Sequence, residues 1–200
     1  MKIYDLQLSN IKHAILGMRA AHKSYDKSDS DFDNNMVGNE DLKLMLKLIK
    51  AGNSHRKFLR FITFSFVCEM PLYWWKQFDQ YKVGVTTLSE STMHNIMDDS
   101  LSVDNFEFDS AWLIYTIEHL NKRIEEYKYY KMTNNKDKQK ELFNEVIKLL
   151  PQSYIQKRFV NMNFEVLYRI IKDRKRHKLK EWCYFIDSIL ERNKMFDIFY

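Results

Sequence analysis

The stretch Phe61-Ile-Thr-Phe-Ser-Phe-Val-Cys-Glu-Met70, followed at once by Pro71, decides how the chain is to be read. Aromatic or branched side chains alternate in it with small polar ones, and a period of two is the signature of a strand with one face buried. Pro71 suits the first turn of a helix, where its missing N–H is not needed, and Leu72, Trp75 and Phe78 then share one face to about Asp79. A strand running straight into a short aromatic helix is the clearest sheet element of the chain.

Outward from it, the pattern is mostly helical. Four glycines and two prolines among 200 residues leave room for few tight turns. Lys2 to Leu8 reads as a short first strand, with Ser9 placed to cap a helix that carries Ile15 and Met18 on one face. The polar stretch Ser24 to Asn39 reads as a mobile loop. A helix follows from about Glu40, with Leu42, Leu46 and Ile49 at helical spacing and Gly52 as its stop. Beyond the aromatic helix, Tyr81 to Asn105 has neither period and reads as a long loop holding Ser89, Ser91, Thr92 and His94; loops of that length inside a domain are commonly functional. Leu113, Ile117, Leu120, Ile124 and Tyr127 predict a helix over Asp109 to Tyr130. Asn134 to Lys140 is its turn, and Leu142, Val146 and Leu150 predict a second helix that Pro151 stops. Ser153 to Val160 reads as a strand, Phe164, Leu167 and Ile171 as a helix, and Leu179, Trp182, Ile186 and Ile189 as the last helix. The expectation is an α+β chain: one helix-rich domain over residues 1–200 with a small mixed or antiparallel sheet and no internal repeat.

Composition narrows the function classes. Hydrophobic residues at 45% and charged residues at 30% are globular values and exclude wholesale disorder. No run approaches the roughly 18 apolar residues of a membrane span, and Met1 to Asp5 is not a secretory opening, so a soluble, cytoplasmic protein is expected. Cys68 and Cys183 lack metal-type spacing and read as packed thiols, with no metal site expected. The balance of 32 basic against 27 acidic residues gives +5, which favours anionic partners without singling out nucleic acid. Arg169 to Lys180 holds seven Lys or Arg against one Asp; it is either a solvated helix end or the basic face of a helix-turn-helix nucleic-acid binder, the former expected. There is no phosphate-binding glycine loop, dinucleotide glycine fingerprint, His-Glu-x-x-His or nucleophile elbow.

Two regions carry a further signal. One is Trp74-Trp-Lys-Gln-Phe-Asp-Gln-Tyr-Lys82 with Val-Gly-Val-Thr-Thr-Leu-Ser89-Glu-Ser91-Thr-Met-His94; the other runs from Leu150-Pro-Gln through Met162-Asn163 to Arg174 and His177-Lys-Leu-Lys-Glu-Trp182, with Asn163 and Arg174 eleven residues apart and Leu167 between them. In their order these resemble the flavin-dependent thymidylate synthases (thymidylate synthase-complementing proteins), in particular divergent members from phages and prophages, over about residues 55–190. In that family an aromatic strand and helix lead into Arg-His-Arg and then a serine loop ending Ser-x-Arg-Tyr. Here Gln80-Tyr81-Lys82 stands at the first motif, Ser91 falls on the motif serine, and Met93 and His94 replace the Arg-Tyr pair.

The resemblance implies reductive methylation of dUMP with FAD, NADPH and methylene-tetrahydrofolate by a homotetramer. It implies Arg174 at the uracil carbonyl, Ser89 and Ser91 on the nucleotide, and Asn163, Lys82, His94 and Tyr81 at the flavin. Such chemistry needs no nucleophile of the protein's own, because the cofactor carries it and the protein positions and polarises. Each residue also has a structural reading. Arg174 suits the last carbonyls of its helix, Asn163 the cap of the helix that Phe164 opens, Ser89 and Ser91 loop hydrogen bonds, and Trp74, Trp75 and Trp182 core anchors. His55 reads as a structural histidine, and His94 is singled out only by its place in the motif. Two alternatives stay open: a non-catalytic nucleotide- or flavin-binding protein of the same fold, and a basic nucleic-acid-binding helical protein.

Overall fold

The computed structural model describes residues 1–34, 36–192 and 194–199. Its four strands, β1 (Lys2–Ser9), β2 (Thr63–Pro71), β3 (Val85–Ser89) and β4 (Ile155–Asn163), form one sheet in the order β1-β2-β4-β3. The sheet is antiparallel and small, and helices dominate the remainder, so the fold is α+β and helix-rich as the glycine-poor sequence predicts. Register is fixed by bonds at the strand ends. Phe164 N–H donates to Ile62 O and Leu72 N–H to Tyr154 O, which sets Ser65 opposite Asn161, and their side chains bond at 2.8 Å. Asn163 N–H donates to Gly84 O and Glu90 N–H to Lys157 O, which aligns β3 on β4.

The chain divides into two compact units, Met1–Lys2, Glu69–Gln80 and Ser89–Arg158 in the first, and Ile3–Cys68, Tyr81–Leu88 and Phe159–Tyr200 in the second. The first is built on a helical hairpin. Ser110 Oγ accepts from Leu113 N–H and opens α5 (Ala111–Met132), and Asn135 accepts from Lys138 N–H and opens α6 (Lys136–Leu149). Leu113, Ile117, Leu120 and Ile124 meet Val146 and Leu150 with Ile96, Met97, Leu101 and Phe106 in one core; each such side chain contributes roughly 1.5–3 kcal/mol. Trp74, Trp75 and Phe78 of the short aromatic helix (Leu72–Phe78) are also buried, with Trp75 Nε1 donating to Gln156 O at 3.0 Å, so these tryptophans are core anchors.

The second unit is centred on aromatic rings. Phe64 of β2 stacks on Phe66 at 5.4 Å and meets Phe164 and Phe196 edge-on, each at 5.6 Å. Cys68 is buried and Cys183 half-buried, both free thiols.

Several boundaries differ from the sequence reading for stated reasons. The helix after β1 is Ile11–Arg19, and Asn10, in the left-handed region at φ 66°, holds the cap position expected of Ser9, which ends the strand instead. The next helix, Asn39–Lys50, buries Asp41, Met45 and Ile49 rather than Leu42 and Leu46, because a carboxylate and not a leucine leads its inner face. Tyr81 to Asn105 is not featureless: it contains β3 and the one-turn helix Thr92–Asn95. β3 is an edge strand with exposed Thr86, Leu88 and Ser89, so no alternation marks it. The turn expected over Asn134 to Lys140 is shorter, since Asn135 caps a helix that starts at Lys136.

The polar stretch Ser24 to Asn39, whose Asn35 lies outside the described residues, closes around Asp41. That carboxylate, fully buried, accepts from Arg19 Nε, Ser28 Oγ and Ser30 Oγ, each at 2.6 Å. Asp29 in turn accepts from Glu40 and Asp41 N–H and so caps the helix; these backbone bonds hold its carboxyl below the usual range. Among the described residues no helix is long and apolar enough to cross a membrane.

Candidate anionic-ligand site

Both ends of helix α7 (Phe164–Arg174), which follows β4, carry residues singled out by sequence. Asn163 is its cap: the side-chain oxygen accepts from Val166 N–H at 3.1 Å, so the acceptor half of the amide is engaged and the Nδ2 donor remains. That donor lies against Gly84, which has φ +84°; a Cβ there would sit 2.5 Å from Asn163 Nδ2. Glycine is needed at this position both for the left-handed backbone and for the close approach. Eleven residues at 1.5 Å rise put Asn163 and Arg174 about 16 Å apart along the axis. They do not converge on one small ligand.

Arg174 faces Tyr81 and Trp182. Its Nε donates to the Tyr81 hydroxyl at 3.2 Å, and the guanidinium lies over the Trp182 ring at 5.1 Å from the centroid. Tyr81 and Trp182 meet edge to face at 6.1 Å, and His177 meets the other edge of Trp182 at 6.4 Å. Trp182 is wholly buried in the last helix, Lys180–Leu190, so it holds the arginine on a rigid platform. His177 Nδ1 accepts from Leu179 N–H at 3.1 Å, which leaves the proton of the neutral ring on Nε2. Burial, then the nearby Arg174 cation, pushes the His177 pKa below its ordinary value.

A groove of about 550 Å³ opens beside Asn163, along the outer side of α7. Arg56, Arg60, Arg169 and Lys172 line it against Glu165 and Asp173, an excess of positive charge, with Tyr168 as its aromatic wall. Arg56 is held in a fork by Glu165, Nε at 3.0 and 3.2 Å from the two carboxylate oxygens and Nη2 at 3.0 Å from one of them. It also lies over Tyr168 at 4.7 Å. Bonding to Glu165 holds the arginine pKa above its ordinary value, so the cation is permanent. Such a concavity fits a ligand that is both anionic and ring-bearing.

The other sequence candidates lie apart from this cluster in kind. Lys82 is exposed and next to Tyr81. Ser89 ends β3 and is exposed; Ser91 precedes the turn Thr92–Asn95, with its carbonyl accepting from His94 and Asn95 N–H, and His94 is exposed. Ser89, Ser91 and His94 belong to the first unit, and Tyr81, Lys82, Asn163 and Arg174 to the second. Sequence reading missed Arg56, Glu165 and Tyr168. The ion pair joins residues 109 apart, and no local pattern marks either member.

No protein-family profile matches the chain. No curated protein matches it either. Solved structures do match, among them two of thymidylate synthase X (ThyX) from Helicobacter pylori with FAD and dUMP. One has a TM-score of 0.73 at 14% identity, covering 100% of this chain and 96% of that one. The other has a TM-score of 0.71 at 14% identity, covering 98% and 95%. The chain has the fold of these flavin-dependent thymidylate synthases from end to end.

Proposed function

We propose that the chain is a flavin-dependent thymidylate synthase-like protein that binds FAD and dUMP and converts dUMP to dTMP with methylene-tetrahydrofolate and NADPH. The observation that carries this reading is the end-to-end likeness to two structures holding FAD and dUMP. With it stands a helix whose two ends carry an amide at Asn163 and a platform-held cation at Arg174, about 16 Å apart.

Bound flavin supplies the hydride and one-carbon chemistry. The chain's own residues orient and polarise. Asn163 Nδ2 offers a donor to a ring edge, and the Arg56, Arg60, Arg169 and Lys172 cations accept the pyrophosphate charge along the groove. Arg174, fixed by Tyr81 and Trp182, stabilises negative charge that develops on a uracil carbonyl without reorganising. Lys82, Ser89, Ser91 and His94, by their places in the motif order, are assigned to phosphate, ribose and flavin contacts. The protein acts in the cytoplasm as one domain that assembles into a homotetramer; exposed Trp112 and Tyr115 on α5 suit such an interface. A second reading, a binding protein of this fold without catalysis, is favoured by Gln80-Tyr81-Lys82 at the Arg-His-Arg position, which leaves one cation where the family has two arginines.

The deciding experiment is the visible spectrum of the purified protein before and after loading with FAD and desalting. A retained flavin band, followed by dUMP-dependent reoxidation with methylene-tetrahydrofolate, is the expected result. Arg174→Ala is expected to lose dUMP binding while keeping FAD. A colourless protein that cannot be loaded sinks the synthase reading, and a stable flavoprotein with no turnover selects the binding protein.

A further inference from the structure

The excess positive charge of the chain is gathered in one place. A second groove, of about 400 Å³, is lined by Ile171, Lys172, Asp173, Lys175, Arg176 and Phe199. It shares Lys172 and Asp173 with the larger groove. Together the two linings hold six Lys or Arg and two acids, an excess of four where the whole chain has +5. Among the described residues none of Arg60, Arg169, Lys172 and Arg176 pairs with a carboxylate, so no ion pair offsets their charge; three lysines elsewhere are offset in that way, Lys43 by Glu40, Lys138 by Glu141 and Lys157 by Glu90. Unneutralised charge of one sign along a concavity focuses the field on it.

Rings accompany the charge. Tyr168 lines the larger groove and Phe199 the smaller, with centroids 6.4 Å apart. Arg169 to Lys175 spans about 9 Å of helix axis, longer than one phosphate group needs. Joined grooves with repeated cations and an aromatic floor fit a chain that repeats a phosphate and a flat ring. A duplex keeps its bases stacked away from such a floor, and an acidic peptide brings charge without rings. We infer that this surface of the second unit binds single-stranded nucleic acid, the backbone on Arg169, Lys172 and Arg176 and a base on Phe199. The inference does not require the proposed synthase activity, but it shares Arg169 and Lys172 with the FAD pyrophosphate assigned there, so the two ligands compete for that part of the groove; it also reverses the solvated-helix-end reading of Arg169 to Lys180.

The test is fluorescence anisotropy of the full, flavin-free chain with a labelled oligouridylate of about 12 nucleotides, across a salt series. Binding at low salt is expected, with log K falling against log salt by about 0.7 for each phosphate neutralised. Lys172→Ala and Arg176→Ala, both at exposed positions, are each expected to flatten that slope by about one. Phe199→Ala is expected to weaken binding roughly tenfold at unchanged slope. Since Phe199 also packs on Phe164 at 5.3 Å, the two charge variants carry the decision if that one does not fold. No anisotropy change at low salt, equal affinity for the duplex or for polyglutamate, or slopes untouched by the charge variants each overturns the inference. A protein that binds the oligonucleotide but cannot be loaded with FAD keeps this inference while sinking the synthase reading, and one that loads with FAD and turns over dUMP but, flavin-free, ignores the oligonucleotide does the reverse.

Discussion

Replacing Glu165 by Gln separates two roles that one carboxylate plays in the groove. Glu165 and Arg56 side chains are only 12% and 16% exposed, and three N–O contacts of 3.0–3.2 Å join them. Glu165→Gln keeps the shape but turns a charge-assisted fork into weaker neutral acceptance, a loss of about 1.5–3 kcal/mol. Glu165→Ala, which strips the partner from a largely buried cation, is expected at the upper side, about 3 kcal/mol or more, limited by water reaching Arg56 through the open groove. Binding moves the other way. Removing one negative charge about 6 Å from a bound phosphate, at an effective dielectric near 40, is worth about 1.4 kcal/mol, or tenfold in affinity at low salt. The assays are urea unfolding with slopes compared, and titration with pyrophosphate or FAD. Arg56→Ala lowers both quantities, and the Arg56→Ala/Glu165→Ala cycle is expected to show a coupling of about 1.5 kcal/mol or more. If Glu165→Gln loses stability and anion affinity together, the carboxylate serves only to aim Arg56, and the charge-balance argument is refuted.

Gly84→Ala combines a left-handed backbone, about 1–2 kcal/mol for alanine, with a contact that displaces the Asn163 amide from its capping bond, about 1 kcal/mol more; because that second part is already lost in Asn163→Ala, urea unfolding of the double variant should fall short of additivity by about 1 kcal/mol, and strict additivity would show that Asn163 does not move. His177 has a folded pKa below its unfolded one, so its proton binds the unfolded chain more readily. Stability is therefore full above about pH 6.5 and declines as pH falls through the folded value; thermal unfolding of His177→Gln should lose less on acidification than the parent, and identical profiles would contradict the assignment.

The parts of the fold legible in sequence are those where burial follows a period. Phe64, Phe66, Cys68 and Met70 face the core as alternation requires, and Leu113, Ile117, Leu120 and Ile124 as a helix requires. β3 escaped because Val85-Thr-Thr-Leu-Ser89 is an edge strand that buries almost nothing. The face of the second helix differs for the converse reason: Asp41 is buried, and its partners are Ser28 and Ser30, in a stretch that carries no pattern, and Arg19, at the end of the preceding helix. At the candidate site, Asn163 and Arg174 are singled out by the family resemblance, of which their spacing around Leu167 is a part. Tyr81 was placed by motif order, yet its bond to Arg174 spans 93 residues. The Arg56 fork depends on a tertiary contact alone, and sequence offers no sign of it.

The Asp41 carboxylate has a consequence for how the chain can be cut. Its three donors come from upstream residues 19, 28 and 30, so a fragment begun after about residue 30 inherits a bare charge in an apolar interior, where an unpaired carboxylate costs several kcal/mol. The first 30 residues are thus not an appendage to be trimmed, and tags or labels placed between Ser28 and Asp41 act on the foundation of the second unit rather than on its surface.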